Sequence, residues 1–216
     1  MITEVDLTDR LKSITGLFLN ALTERDTDFV ADISVKTSSK MEINSGGRTF
    51  FLSYMLAIVI PKNFPVDLPK TYDCSKKVNK RFDHVNPGGS LCLATDIDLR
   101  LRLQQGDPLR KYFEIVVQYL TEFEYWSETG RYPVLPRSHG ASGVVESYQE
   151  LLKVDNLSII RKLVKCIPVK SSYRNLQCPC GSGVKFKYCH YESLEAMGAT
   201  GSIRKQIRAD LETSLL

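Results

Sequence analysis

No apolar run in this sequence of 216 residues is long enough to cross a membrane. The longest, residues 50–61, spans about twelve residues and includes Ser53, whereas a spanning helix needs roughly twenty. The opening of a secretory signal is missing too, since Glu4 and Asp6 stand where basic residues and an apolar stretch would be. The chain is therefore read as cytoplasmic. A phosphate-cradling glycine loop is absent, because Gly46-Gly47 and Gly88-Gly89 lack the required spacing, so ATP use is not expected. There is no internal repeat and no low-complexity tract. Six cysteines in a chain of this length do not make a disulfide scaffold. The 43% hydrophobic and 25% charged content excludes wholesale disorder. What remains is one domain of ordinary size with a short appendage.

The net charge of +4 is unevenly placed: residues 156–216 hold ten Lys/Arg and four Asp/Glu, a net of +6, so the remainder sums to −2. A basic tail on a slightly acidic body suits an acidic partner. Basic segments are more often solvated surface than nucleic-acid faces, so nucleic acid is not the expected partner.

Hydrophobic spacing outlines the elements. Val5, Leu7, Leu11, Ile14, Leu17, Phe18, Leu19 and Leu22 recur at intervals of three and four, which predicts one amphipathic helix over residues 5–24. Residues 29–35 read as a strand, 44–47 as a turn, and 48–60 as a long strand rich in aromatic and β-branched side chains. Three prolines in residues 61–69 exclude a helix or central strand; this segment should lie on the sheet as an extended wall anchored by Phe64 and Leu68. A short piece around Thr71 follows, then a loop over residues 84–93. Asp107-Pro108 opens a helix running to about Trp126, with Pro at its first turn. Residues 130–136 form a loop, 143–152 a helix, 157–167 a helix or strand, and 203–216 a short helix. Helices segregated around a small antiparallel sheet make an α+β fold.

Two clusters carry chemistry. Near the C-terminus, Cys178, Cys180, Cys189 and His190 supply three thiolates and an imidazole, a Cys₃His set suited to tetrahedral zinc. Three thiolates, Zn²⁺ and a neutral histidine sum to −1, which Lys185 and Lys187 can offset. The close C-x-C and C-H pairs resemble the SecA-type (SEC-C) zinc motif, found at the C-terminus of the SecA translocation ATPase and as an add-on to many bacterial proteins. The resemblance implies a structural zinc with all four positions filled, and an association with protein docking.

The second cluster surrounds Cys92. A cysteine between leucines reads, by composition alone, as buried and inert. Its context argues otherwise, because Pro87-Gly88-Gly89-Ser90 can present a side chain at the surface and His84 and Asn86 lie just upstream. A thiol nucleophile acting on an acyl group needs access and an oxyanion donor, which an asparagine amide can be. The order of helix, strands, proline-rich wall, His84-x-Asn86 and Gly89-Ser90-Leu91-Cys92-Leu93 resembles a ubiquitin-conjugating enzyme over about residues 1–155. Val85 replaces the proline of that family's His-Pro-Asn signature, and the loop is about two residues shorter. Arg137-Ser138-His139-Gly140 is similar to a segment of bacterial members from antiphage defence islands, namely the stand-alone conjugating proteins of short type II CBASS operons.

That resemblance implies a ubiquitin-conjugating-like fold, with an antiparallel four-stranded sheet flanked by helices. Residues 1–155 would be the catalytic domain, 156–172 a linker helix, and 173–216 the zinc motif and last helix. It also implies that Cys92 carries a protein C-terminus as a thioester and passes it to a target amine, with Asn86 as oxyanion donor. His139 is a candidate to accept the amine proton, an imidazole being able to titrate near neutrality, or else is structural. His84 braces the loop or acts directly. The implied partner is a protein, either a cyclic-oligonucleotide synthase or a ubiquitin-like donor. Three alternatives stay open: a non-catalytic adaptor with a zinc docking tail, a cysteine hydrolase using Cys92 and His139, and a nucleic-acid binder through the basic tail. Cys74 and Cys166 lack a comparable context, and Phe123, Tyr125 and Trp126 read as core or a loop anchor.

Overall fold

The computed structural model describes residues 2–43, 46–78, 81–134 and 137–215. They form two compact units, residues 1–94 with 102–136, and residues 95–101 with 137–216. The mixed α+β class expected from the sequence is observed.

In the first unit helix α1 (Glu4–Lys12) starts at Thr3, whose Oγ1 accepts the Asp6 N–H, and carries acidic residues in its first turn and basic ones in its last. It is much shorter than the 5–24 helix expected. Gly16, at φ +83° and with no room for a Cβ beside Thr37, turns the chain into strand β1 (Leu17–Glu24). The helix-like spacing beyond it comes from a β-bulge at Asn20. The bulge lets Leu17, Leu19 and Leu22 stand opposite Val35, Ile33 and Ala31 on one face.

Strands β2 (Asp28–Ile43), β3 (Gly46–Pro61) and β4 (Lys70–Asp73) complete an antiparallel meander in the order β1-β2-β3-β4. Phe29, Ala31, Ile33 and Val35 on β2, with every second residue from Phe50 to Ile60 on β3, are buried. Helix α3 (Pro108–Thr129) covers this face with Leu109, Tyr112, Phe113, Val116 and Leu120. Asp107 caps its first turn by accepting the Arg110 N–H, and Gly130 ends it at φ +66°. A buried hydrogen bond, 2.8 Å between Thr71 Oγ1 and Tyr112 Oη, ties α3 to β4. Of the proline-rich wall, Phe64 is buried and Leu68 packs against the core, but its backbone makes turns rather than one extended run. Half of the expected 44–47 turn lies outside the described residues, and Gly46 and Gly47 belong to β3.

The second unit begins with most of helix α2 (Asp96–Leu103), an element not anticipated from the sequence. It continues with α4 (Gly140–Leu152), α5 (Leu157–Val164), α6 (Tyr191–Met197) and α7 (Gly201–Thr213). Its core includes Ile97, Tyr148, Leu152, Ile160, Leu163 and Phe186. The division therefore does not fall at residue 155: α4 packs with the C-terminal segment. Nor is α5 a linker, because Ile160, Leu163 and Val164 form a fully buried stripe at helical spacing. A polar network closes this unit, where the buried Ser147 hydroxyl lies 2.8 Å from both Thr95 Oγ1 and Asp98 Oδ2 and accepts from Arg137. No helix among the described residues is long and apolar enough to cross a membrane.

Candidate functional site

Residues 84–92 form a hairpin in the first unit. The Asn86 N–H donates to the Ser90 carbonyl at 2.8 Å, Gly89 N–H to the Asn86 carbonyl at 2.8 Å, and Cys92 N–H to the His84 carbonyl at 2.8 Å. Gly89, at φ +82°, supplies the left-handed residue such a turn requires. Leu91 N–H donates to Thr71 O at 2.8 Å, which docks the hairpin on β4. Cys92 ends up half-buried, with its Sγ within 4.8 Å of a His84 ring nitrogen. The structure thus brings Cys92 and His84 together through both backbone and side chain.

An aromatic cluster holds that arrangement. Phe82 is buried, with the rings of His84, Tyr119, Phe123, Trp126 and Tyr132 centred 5.2–5.6 Å from its own. Tyr132 meets the His84 imidazole edge-on at 5.7 Å. The Tyr119 hydroxyl donates to the His84 carbonyl at 2.7 Å, so this one oxygen accepts from Tyr119 and Cys92 alike. Burial, and then the neighbouring Cys92 and Asp73, push the Tyr119 phenol well above its usual value. Tyr119 was missed in the sequence although it lies three residues after Val116 on the buried α3 stripe. Trp126 is the loop anchor its clustering suggested.

The Asn86 amide donates within the hairpin, to Ser90 Oγ at 3.1 Å and, weakly, to the Leu91 carbonyl at 3.5 Å. His139 belongs to the second unit, where it occupies the N-cap position of α4 without a capping side-chain bond. Cys74 is exposed, and burial raises the half-buried Cys166 thiol.

In the second unit, residues 176–178 and 184–186 pair as a small ribbon. Cys178 N–H donates to Val184 O and Phe186 N–H to Leu176 O, both at 2.8 Å. Gly181 and Gly183, at φ +83° and +74°, fold the intervening loop back on itself. Cys178, Cys180 and Cys189 Sγ and a His190 ring nitrogen all lie within 4.8 Å of one another. Cys180 and Cys189 sulfurs are 3.6 Å apart, and His190 Nδ1 is 3.3 and 3.0 Å from Cys178 and Cys189 Sγ. Tetrahedral zinc sets such edges at about 3.5–3.8 Å, so the donors fit zinc in kind and spacing.

The second ring nitrogen completes the argument. His190 Nε2 lies 3.0 Å from the Leu152 carbonyl at the end of α4. A proton on Nε2 leaves the Nδ1 lone pair facing the thiols, the tautomer a metal requires. Burial pushes the Cys178 thiol up to about 12; at Cys180 burial also raises the thiol, but hydrogen bonds from Ser182, Cys178 and Cys189 together hold it down at about 6. Phe186 anchors the knuckle, with its ring 5.4 Å from that of Tyr191.

Residues 174–192 match the SEC-C motif. The four donors just described fall within that match, so the C-terminal cluster fits the zinc site of a SEC-C motif. No curated protein and no solved structure matches the chain.

Proposed function

We propose that the first unit is a ubiquitin-conjugating-like acyl carrier, which takes the activated C-terminal carboxyl of a protein as a thioester on Cys92 and transfers it to a target amine. The observation that carries this reading is the placement of a His84 ring nitrogen within 4.8 Å of the half-buried Cys92 sulfur, at the end of a hydrogen-bonded hairpin. An adjacent imidazole is what a thiol needs to react as thiolate. The order of helix, three strands, proline-rich segment, fourth strand and thiol hairpin supports this reading.

The His84 imidazole takes the Cys92 proton, and the thiolate attacks the acyl carbonyl of a donor activated by a separate protein, whose thiol leaves with a proton. The incoming amine then attacks the new thioester and gives its proton to the His84 imidazole as the Cys92 thiolate leaves. The tetrahedral oxyanion needs a donor. Cys92 N–H and the Tyr119 hydroxyl are both engaged by the His84 carbonyl. The resemblance assigns that role to Asn86, whose amide would release its weak 3.5 Å contact to Leu91 O. In the second unit, zinc held by Cys178, Cys180, Cys189 and His190 would leave no open position and would serve structure. The resemblance to CBASS conjugating proteins makes a cyclic-oligonucleotide synthase the proposed partner in antiphage defence, in the cytoplasm.

The test is intact-mass analysis of the wild type, Cys92→Ser and Cys92→Ala, each co-expressed with the synthase. A reductant-labile adduct on the wild type, a stable ester on Cys92→Ser and none on Cys92→Ala are the expected results. Adducts that persist in Cys92→Ala would refute the mechanism. The same Cys92–His84 pair would also serve a hydrolase, and acyl substrate cleaved without amine transfer would favour that reading. A Cys92 that resists alkylation would favour an adaptor.

A further inference from the structure

Residues 156–191 contain seven Lys/Arg and no Asp or Glu; acidic residues resume only at Glu192. No ion pair among the described residues engages Lys170, Arg174, Lys185 or Lys187. The ribbon of the zinc knuckle gathers these charges from two separate stretches. Lys187 N–H donates to the Arg174 carbonyl at 3.0 Å, and Gln177 pairs with Lys185. Between the charges stand aromatic rings open to solvent, Tyr188 at 74% and Tyr173 at 40% exposure. The Lys187 ammonium lies 4.9 Å from the Tyr188 ring centre, and that of Lys170 lies 5.8 Å from Tyr173.

We propose that this face of the SEC-C knuckle docks single-stranded nucleic acid, with backbone phosphates on the lysines and bases stacked on Tyr188 and Tyr173. The charge alone would suit any polyanion. The rings decide among them, because each is a flat, solvated platform with a cation beside it, the pairing that accepts a base and its phosphate together. An acidic peptide would neutralise the lysines but leave the rings without a role. A duplex hides its base faces. Both rings stand on single helical turns flanking the ribbon, Tyr173 in Ser171–Tyr173 and Tyr188 in Phe186–Tyr188, which presents them at little ordering cost. The sequence alone read this tail as solvated charge; the exposed rings within the charge are what change that reading. The inference does not depend on the chemistry of Cys92.

Fluorescence anisotropy with the zinc-loaded full chain and a labelled oligouridine of about 12 nucleotides tests it, between about 50 and 200 mM salt. Engagement of four cations predicts a log–log salt slope of about −3. Tyr173→Ala with Tyr188→Ala should weaken binding about tenfold or more at an unchanged slope. Lys185→Gln with Lys187→Gln should reduce the slope by about 1.4. Zinc content and far-ultraviolet dichroism check that each variant is folded. Absence of saturable binding at the lowest salt overturns the proposal. So does equal affinity for oligouridine, duplex and polyglutamate with no loss in the tyrosine variant, the outcome expected of an acidic-protein site.

Discussion

Removing the metal from the C-terminal knuckle should unfold residues 174–192 and weaken the second unit while sparing the first. Structural zinc contributes about 10–16 kcal/mol of apparent binding free energy in small knuckles, as much as the whole stability of many domains, about 5–15 kcal/mol. Little else holds this segment. Its ribbon is three residues on each side, and its apolar anchors are Phe186 and Tyr191. Those two rings also complete the core around Tyr148, Leu152 and Ile160, and loss of each buried aromatic costs about 3–5 kcal/mol. Chelation should therefore do more than fray the knuckle. Hydrogen exchange read by mass spectrometry, with and without a chelator, is the assay. The amides of Cys178, Phe186 and Lys187 should lose protection first, followed by α5, while β2 and β3 keep theirs. Unchanged protection over residues 174–192, in protein shown by elemental analysis to be free of metal, would refute the reasoning.

Other outcomes follow from single contacts. Tyr119→Phe deletes one hydrogen bond to the His84 carbonyl, so it should cost about 1 kcal/mol in urea unfolding and slow alkylation of Cys92 severalfold at neutral pH; an unchanged rate would show that Tyr119 does not position the thiol. Gly143→Ala would drive a methyl group into the Ser138 carbonyl oxygen, a destabilisation of about 2 kcal/mol, whereas Gly88→Ala meets nothing within 4 Å and should be neutral in the same thermal scan. The phenols of Tyr54, Tyr112 and Tyr119 are all raised, by burial first. Each holds its proton more tightly in the folded state, so its contribution is complete below about pH 10, the unfolded value, and is lost as pH rises beyond it. Stability of the first unit should thus fall above pH 10, and replacing Tyr112 by Phe should flatten that decline.

Much of this was legible in the residues. Residues 48–60 are rich in aromatic and β-branched side chains, which is enough to predict β3. Asp107-Pro108 and Gly130 mark both ends of α3, and the metal ligands follow from cysteine and histidine spacing alone. The misread segment, residues 17–24, shows why period can mislead. One bulged residue converts a step of two into a step of three, and β then looks like α. Helix α2 was missed because its buried residues, Ile97, Asp98, Leu99 and Leu103, show no simple stripe. They are divided between two units, Ile97 in one core and Leu103 in the other. His84 stood out just upstream of Cys92, but the approach of its ring to the thiol depends on a hairpin whose register is set by backbone bonds.

The hardest feature to read was where the chain divides, and the consequence can be tested directly. It passes between the units three times, at residues 94/95, 101/102 and 136/137, so the C-terminal part is not a detachable tail. Cutting at residue 155 would remove most of the second core and strand Ile97, Tyr148 and Leu152 in water, although all three are at most 2% exposed in the intact chain. At about 1.5–3 kcal/mol for each exposed side chain, the shortened protein should aggregate. In the intact protein the same logic concerns α5. A flexible linker there would offer trypsin Arg161, Lys162 and Lys165, whereas a helix with Ile160, Leu163 and Val164 buried cannot enter the protease as an extended segment. Limited tryptic digestion should therefore leave residues 157–165 uncut until the whole unit unfolds. Rapid cleavage there, yielding a soluble fragment that ends near residue 160, would restore the linker and with it an independent N-terminal domain of about residues 1–155.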